Sequence, residues 1–161
     1  MFYLFPEQAV CYLLLIDQIN LLPQLFGQIT IPQAVGDELG ASESLAILQS
    51  WIAQPPAWLE IQSVTTELDE VLQELDLGEH EAIALAQQLE AELILLDDRA
   101  ARRVAAERGL LVTGVLGILD QAATRGLIDF PTAIDRLRQT TFWTSSSLIE
   151  SLLERHRPGR P

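Results

Sequence analysis

Four acidic side chains stand where chemistry could use them: Glu38, Glu79, Asp97 and Asp98. Carboxylates are hard oxygen donors, and a Mg²⁺ ion is usually held by only a few of them, with several waters completing its shell. A pair of such ions can activate a water and stabilise the leaving oxygen of a phosphodiester. Each acid also has a plainer reading. Asp97 suits the N-cap of the helix that follows it, and Asp98 that helix's first turn. Glu79 closes a capping box begun by Asp76, and Glu38 fits an exposed helix surface. His80 and His156 read as solvent-facing side chains. Taken singly, none of these residues is specific, so the elements that position them decide the matter.

Three of the acids belong to one stretch, residues 75–106, LDLGEHEAIALAQQLEAELILLDDRAARRVAA. Asp76 and Glu79 start a helix near Leu77, and Ala82, Ile83, Leu85, Ala86 and Leu89 recur along it at three- and four-residue steps, which predicts a core-facing stripe. Glu79 lies at the head of that stripe, where a carboxylate needs a partner. Leu93, Ile94, Leu95 and Leu96 then read as a short strand buried on both faces, as in a parallel sheet. Asp97 and Asp98 follow at its carboxyl end, the side on which open parallel α/β sheets form their ligand crevice.

The remaining elements follow from the same signals. MFYLF is a first strand ended by Pro6, followed by helices over 8–17 and 19–26 with Gly27 as the C′ residue. QITI is a second strand, Pro32 opens a helix over 32–39, and 41–54 is an amphipathic helix carrying Leu45, Leu48 and Trp51. A strand over 58–64 and an acidic helix over 66–75 lead into the central stretch. Beyond it come a strand over 110–112, a turn at Thr113 and Gly114, and helices over 115–124, 131–139 and 145–154. Strands separated by helices throughout predict a parallel sheet covered on both faces, in one domain over 1–154. RHRPGRP, residues 155–161, reads as a disordered basic tail.

Charge is distributed unevenly. There is no lysine, residues 1–98 carry 17 acids and no basic side chain, and all ten arginines lie from Arg99 onward. A net charge of −13 disfavours general nucleic-acid binding unless a metal or a local basic face compensates. The lone Cys11 excludes an internal disulfide and fits a reducing cytoplasm, as a small buried hydrophobe. The apolar run 9–16 is far shorter than the roughly 20 residues a membrane span requires, so no membrane role is expected.

The order of the motifs is more informative than any one of them. LLPQLFGQITIPQAVGDEL, LDLGEHEAIALA, LILLDDRAARRVAAERGLLVTGVLGILDQA and GLI occur in succession, and from about residue 21 to 153 the chain resembles the PIN-like nucleases related to VapC toxins. The likeness is to a prokaryotic branch catalogued as a domain of unknown function. This resemblance implies a three-layer α/β/α sandwich around a parallel sheet of four or five strands. It also implies a Mg²⁺- or Mn²⁺-dependent ribonuclease of a toxin-antitoxin system, a cognate antitoxin and an RNA substrate. Carried over, the family's acids fall on Glu38, Glu79 and Asp98, with Asp97 beside the last, and its threonine after the final strand falls on Thr113. The chain departs from the pattern at its start: the first aspartate's place is taken by Pro6, and Glu7, one residue on, is the acid that stands in. A lysine of the relatives falls on Ala123.

Two expectations follow. One is a toxin-like ribonuclease in which Glu38, Glu79 and Asp98, helped by Glu7 or Asp97, hold the metal, with activity reduced by Pro6. The other is a PIN-fold protein with an impaired site that acts by binding an antitoxin or by self-association. PIN relatives commonly pair, so a homodimer is expected, with Leu45, Leu48 and Trp51 as its contact face.

Overall fold

Among the described residues five parallel strands form; the inner runs ITIP and LIL are mostly buried, as parallel pairing under crossing helices favours, while LEIQ and VT at the edges are only partly covered. The computed structural model describes residues 3–4, 7–64, 75 and 77–157. The strands are β1 (Tyr3–Leu4), β2 (Ile29–Pro32), β3 (Leu59–Gln62), β4 (Leu93–Leu95) and β5 (Val112–Thr113), in the order β3-β2-β1-β4-β5. The chain runs outward from β1 to β3, then returns to lay β4 on the other side of β1. The order therefore reverses between β1 and β4. At such a switch point the connections on the two sides diverge, which opens a crevice at the carboxyl ends of the strands.

The helices are α1 (Glu7–Leu15), α2 (Leu21–Phe26), α3 (Gln33–Gly40), α4 (Ala46–Ala53), α5 (Leu77–Gln88), α6 (Arg99–Glu107), α7 (Val115–Thr124), α8 (Phe130–Arg138) and α9 (Ser146–Arg155). Successive strand residues point to opposite faces, and two cores result. Ile29, Ile31 and Leu95 enter the larger one with Leu13, Leu39, Leu48, Ile118, Phe130 and Ile149 from the helices of that side. Ile94 and Leu96 enter the smaller one with Ile83 and Leu85 of α5 and Ala101 and Val104 of α6. The expected α/β/α sandwich is thus present, with five strands among the described residues. Each fully buried leucine, isoleucine or phenylalanine contributes roughly 1.5–3 kcal/mol by leaving water.

Several boundaries differ from the sequence reading. The helix expected over 41–54 begins only at Ala46, because Gln49 Nε2 donates to the carbonyls of Ala41 (3.0 Å) and Ser44 (2.8 Å) and stabilises a turn there. Leu48 is buried and Trp51 packs beside Trp58 with ring centroids 6.0 Å apart, so the face expected to pair two copies is used inside the chain. Leu45 alone of the three stays outside, 51% exposed. The last strand starts two residues later and ends one later than expected, as Val112–Thr113, with Leu96 N–H donating to the Thr113 carbonyl.

The acidic helix expected over 66–75 lies outside the described residues except for Leu75. At the other end, α9 runs to Arg155, and Arg155 and His156 both contact Asp120. The expected tail boundary at 155 is therefore too early, while residues 158–161 lie outside the described ones. No helix among the described residues is long and apolar enough to cross a membrane.

Candidate functional site

Where β2 ends, Pro32 has extended backbone and serves as N-cap of α3, a place where its missing N–H leaves no bond unmade. One of the free N–H groups of α3, that of Ala34, donates to Glu81 Oε1 of α5 at 3.2 Å. An acid of one helix thus caps the other and ties α3 to α5 across the edge of the sheet. Glu38, further along α3, lays its carboxylate on Gly78. A Cβ at position 78 would stand 2.9 and 3.0 Å from the two carboxylate oxygens, so glycine is what permits the approach. Glu79 is the next residue, half-buried, with Oε2 shielded from solvent.

On the other side of β1, Leu95 faces the larger core, and the two-residue period of the strand carries Asp97 to the same side. Val115 N–H, at the start of α7, donates to Asp97 Oδ1 at 3.2 Å and lies 3.4 Å from Oδ2. Here too a glycine makes room: a Cβ at Gly114 would meet Asp97 Oδ1 at 2.6 Å and Arg102 Nη1 at 3.5 Å. Burial pushes the Asp97 carboxyl above its ordinary value, against the Val115 N–H and the Arg102 charge, which pull it down. A desolvated carboxylate of this kind favours an arriving cation.

Asp98 behaves differently. It is exposed, and Oδ2 accepts from Ala101 N at 2.9 Å as the N-cap of α6. The N-cap of the following helix, expected at Asp97, is therefore Asp98, and Asp97 lines a cleft instead. Thr113 lines a cleft of about 310 Å³ together with Asp97, Arg102, Gly114, Asp120 and Trp143. Its hydroxyl lies so close to Gly117 that any side chain there would overlap it.

The histidines are not solvent-facing. His80 is 4% exposed, and its Nε2 has no hydrogen-bond partner among the described residues. His156 bonds Asp120 Oδ1 through Nε2 at 2.6 Å, and its ring lies on Phe130 with centroids 4.7 Å apart. Pro6 lies outside the described residues, as does the Glu7 side chain, although Glu7 is the first residue of α1.

Among the described residues no group of three or more His, Cys, Asp or Glu side chains is arranged to hold a metal ion. The donor chemistry still fits a hard divalent cation. Glu38, Glu79 and Asp97 offer only carboxylate oxygens, one of them desolvated, and Mg²⁺ usually needs one or two carboxylates beside its waters. Sequence reasoning overlooked three residues here. Glu81 leaves no signal beyond its spacing from Glu79. Arg102 was legible as part of an arginine stripe, 99, 102 and 103, on one face of α6. Trp143 was legible as a lone indole among threonines and serines in TTFWTSSS.

A family model described as a PIN domain matches residues 8–158. No curated protein and no solved structure matches the chain.

Proposed function

Because the chain belongs to the PIN domain family, we propose that it is a metal-dependent ribonuclease related to the VapC toxins, using Mg²⁺ or Mn²⁺ and restrained by a cognate antitoxin. The observation that carries this reading is the desolvated Asp97 carboxylate just after β4, together with the Glu38 carboxylate resting on Gly78 beside Glu79, where α3 meets α5. Asp97 takes the role that the resemblance gave to Asp98, which stays beside it as the cap of α6.

In this reading Glu38, Glu79 and Asp97 bind the ion, with Glu7 adding a ligand in the position left by Pro6. When bound, the ion would supply an activated water and neutralise charge building on the phosphodiester. Gly78 and Gly114 keep the two sets of carboxylates at their places, and the Thr113 hydroxyl offers a hydrogen bond within the Asp97 cleft. The reading includes a reducing, cytoplasmic setting, supported by the lone cysteine. It also includes self-association through the exposed Leu15 and Leu45, which line one groove, in place of the expected Leu48 and Trp51.

A second reading has one observation in its favour, the lack of a three-ligand group among the described residues. It makes the chain a binding protein with an impaired site. Cleavage of single-stranded RNA by the purified chain separates the two. The ribonuclease reading expects cleavage with Mg²⁺ or Mn²⁺, lost in EDTA and in Asp97→Asn, and faster in Pro6→Asp, which adds a carboxylate after β1. No cleavage by wild type or Pro6→Asp with either ion would leave the binding reading.

A further inference from the structure

Trp143 is 81% exposed, the most exposed large apolar side chain among the described residues. An indole has a large surface to bury, and it is common where a partner covers it. The segment that carries Trp143, between α8 and α9, is fastened on both sides. Phe142 packs edge-on against Tyr12 with centroids 5.2 Å apart, and its N–H donates to Thr140 Oγ1 at 3.1 Å. On the other side Ser145 Oγ accepts from Leu148 N as the N-cap of α9. The indole is therefore displayed from a segment held on both sides, and it lines the same cleft as Asp97, Arg102 and Thr113.

The same cleft is lined by one arginine, Arg102 of α6. Residues 1–98 contain no basic side chain, and the first arginines of the chain, Arg99, Arg102 and Arg103, fall on the opening turns of α6 at spacings that share one exposed face. None of the three makes an ion pair within 4 Å among the described residues, although the Arg102 charge also acts on Asp97. Asp120, the other acid in the cleft, is engaged by Arg155 and His156, which reduces its repulsion toward an anion.

An aromatic face beside a short cationic track is the arrangement that holds unpaired nucleotides, since every base has a π-face and every linkage a charge. We infer that this cleft is a single-stranded RNA subsite, in which one base stacks on Trp143 and the neighbouring phosphates lie along Arg99, Arg102 and Arg103. A volume of about 310 Å³ suits one small ligand unit. A duplex would keep its bases stacked on each other and away from the indole. The choice of RNA rests on the ribonuclease reading; the platform itself rests on Trp143 and α6.

The test is binding of a single-stranded oligouridylate to the full chain in EDTA, followed by tryptophan fluorescence and by anisotropy of a labelled oligomer, with cleavage measured separately in Mg²⁺. Wild type should bind with quenching of its emission, and more tightly than it binds the same length of duplex. Trp143→Ala should lose the quenching and bind about tenfold more weakly or worse. Arg102→Gln should reduce the slope of log affinity against log salt by about 0.7, the loss of one phosphate contact. Equal affinity and quenching in Trp143→Ala, or no binding by wild type, overturns the inference. Cleavage that is indifferent to Trp143 would leave the ribonuclease reading standing without this subsite. Binding through Trp143 without cleavage by any variant would leave the subsite standing without the nuclease.

Discussion

Asp97 and Asp129 both accept a backbone N–H from the first turn of a helix, Asp97 from Val115 of α7 and Asp129 from Thr132 of α8. Their carboxyls nevertheless shift in opposite directions. Asp129 is fully exposed, and the hydroxyl and N–H of Thr132 hold it below its ordinary value. Asp97 is pushed up, because burial outweighs the Val115 bond and the Arg102 charge. Asp129, like Asp98 and Ser145, caps its own helix from the adjoining residue. Asp97 reaches α7 from the end of another strand. The same hydrogen bond is thus part of a stabilising cap in one place and holds a costly charge in the other. A local rule broken in this way, with a cost in stability, is what functional sites show.

The largest effect should come from removing the two carboxylates in turn. Asp97→Asn should lower RNA cleavage by more than the ~10–100-fold typical of losing a metal ligand's supporting partner, while its melting temperature stays level or rises. Asp129→Asn should leave cleavage unchanged and lower the melting temperature. Equal losses of activity in the two variants would erase the distinction between them.

The glycines that admit the carboxylates come next. Gly78→Ala pushes the Glu38 carboxylate off its place, and the flexible side chain can yield, so cleavage should fall with little change in stability. Gly114→Ala displaces the shorter Asp97 and breaks its bond to Val115, so it should lose activity and also roughly 0.5–2 kcal/mol, the usual worth of a helix-start bond. Gly40→Ala is the control, since its Cβ would meet Ile52 at an ordinary 3.5 Å. Rates and chemical denaturation of the three variants give the comparison.

The smallest effect is the pH dependence. Asp97 binds its proton more tightly in the folded state, so its contribution to stability grows as pH falls from the raised folded value toward the ordinary one, and is lost as pH rises through that window. Asp129 has the opposite sign: its contribution is present above the ordinary carboxylate value and is lost as pH falls through the lowered folded value. Melting curves across weak acid should flatten in Asp97→Asn and keep their shape in Asp129→Asn, with the reverse in stronger acid.

Much of the fold was legible because local signals and tertiary packing agree. The helix expected over 115–124 is α7 as found, framed by Gly114 before it and by Gly126, whose φ of +75° only glycine adopts readily. The LILL run gave β4 because residues buried on both faces leave no polar alternation to misread. The turn over 41–45 was not legible, since it depends on one glutamine side chain reaching back to carbonyls. At the site, the residue types were readable and their directions were not. Asp97 and Asp98 are equally good caps on paper; counting the two-residue period from Leu95 would have separated them. The approach of Glu38 to Gly78 joins positions forty residues apart, and no local pattern encodes it.

In the ribonuclease reading, Glu38 of α3 and Asp97 after β4 act together on one divalent cation. Calorimetric titration of Mn²⁺ or Mg²⁺ into wild type, Glu38→Gln and Asp97→Asn tests it most directly, with melting temperature as a second readout. Wild type should bind the ion and gain stability with its concentration, by about 2.7 kcal/mol at a hundred times Kd. Both variants should bind much more weakly, although their mutated residues lie on different elements. No heat and no melting shift in wild type, or variants that bind as wild type does, would contradict the account.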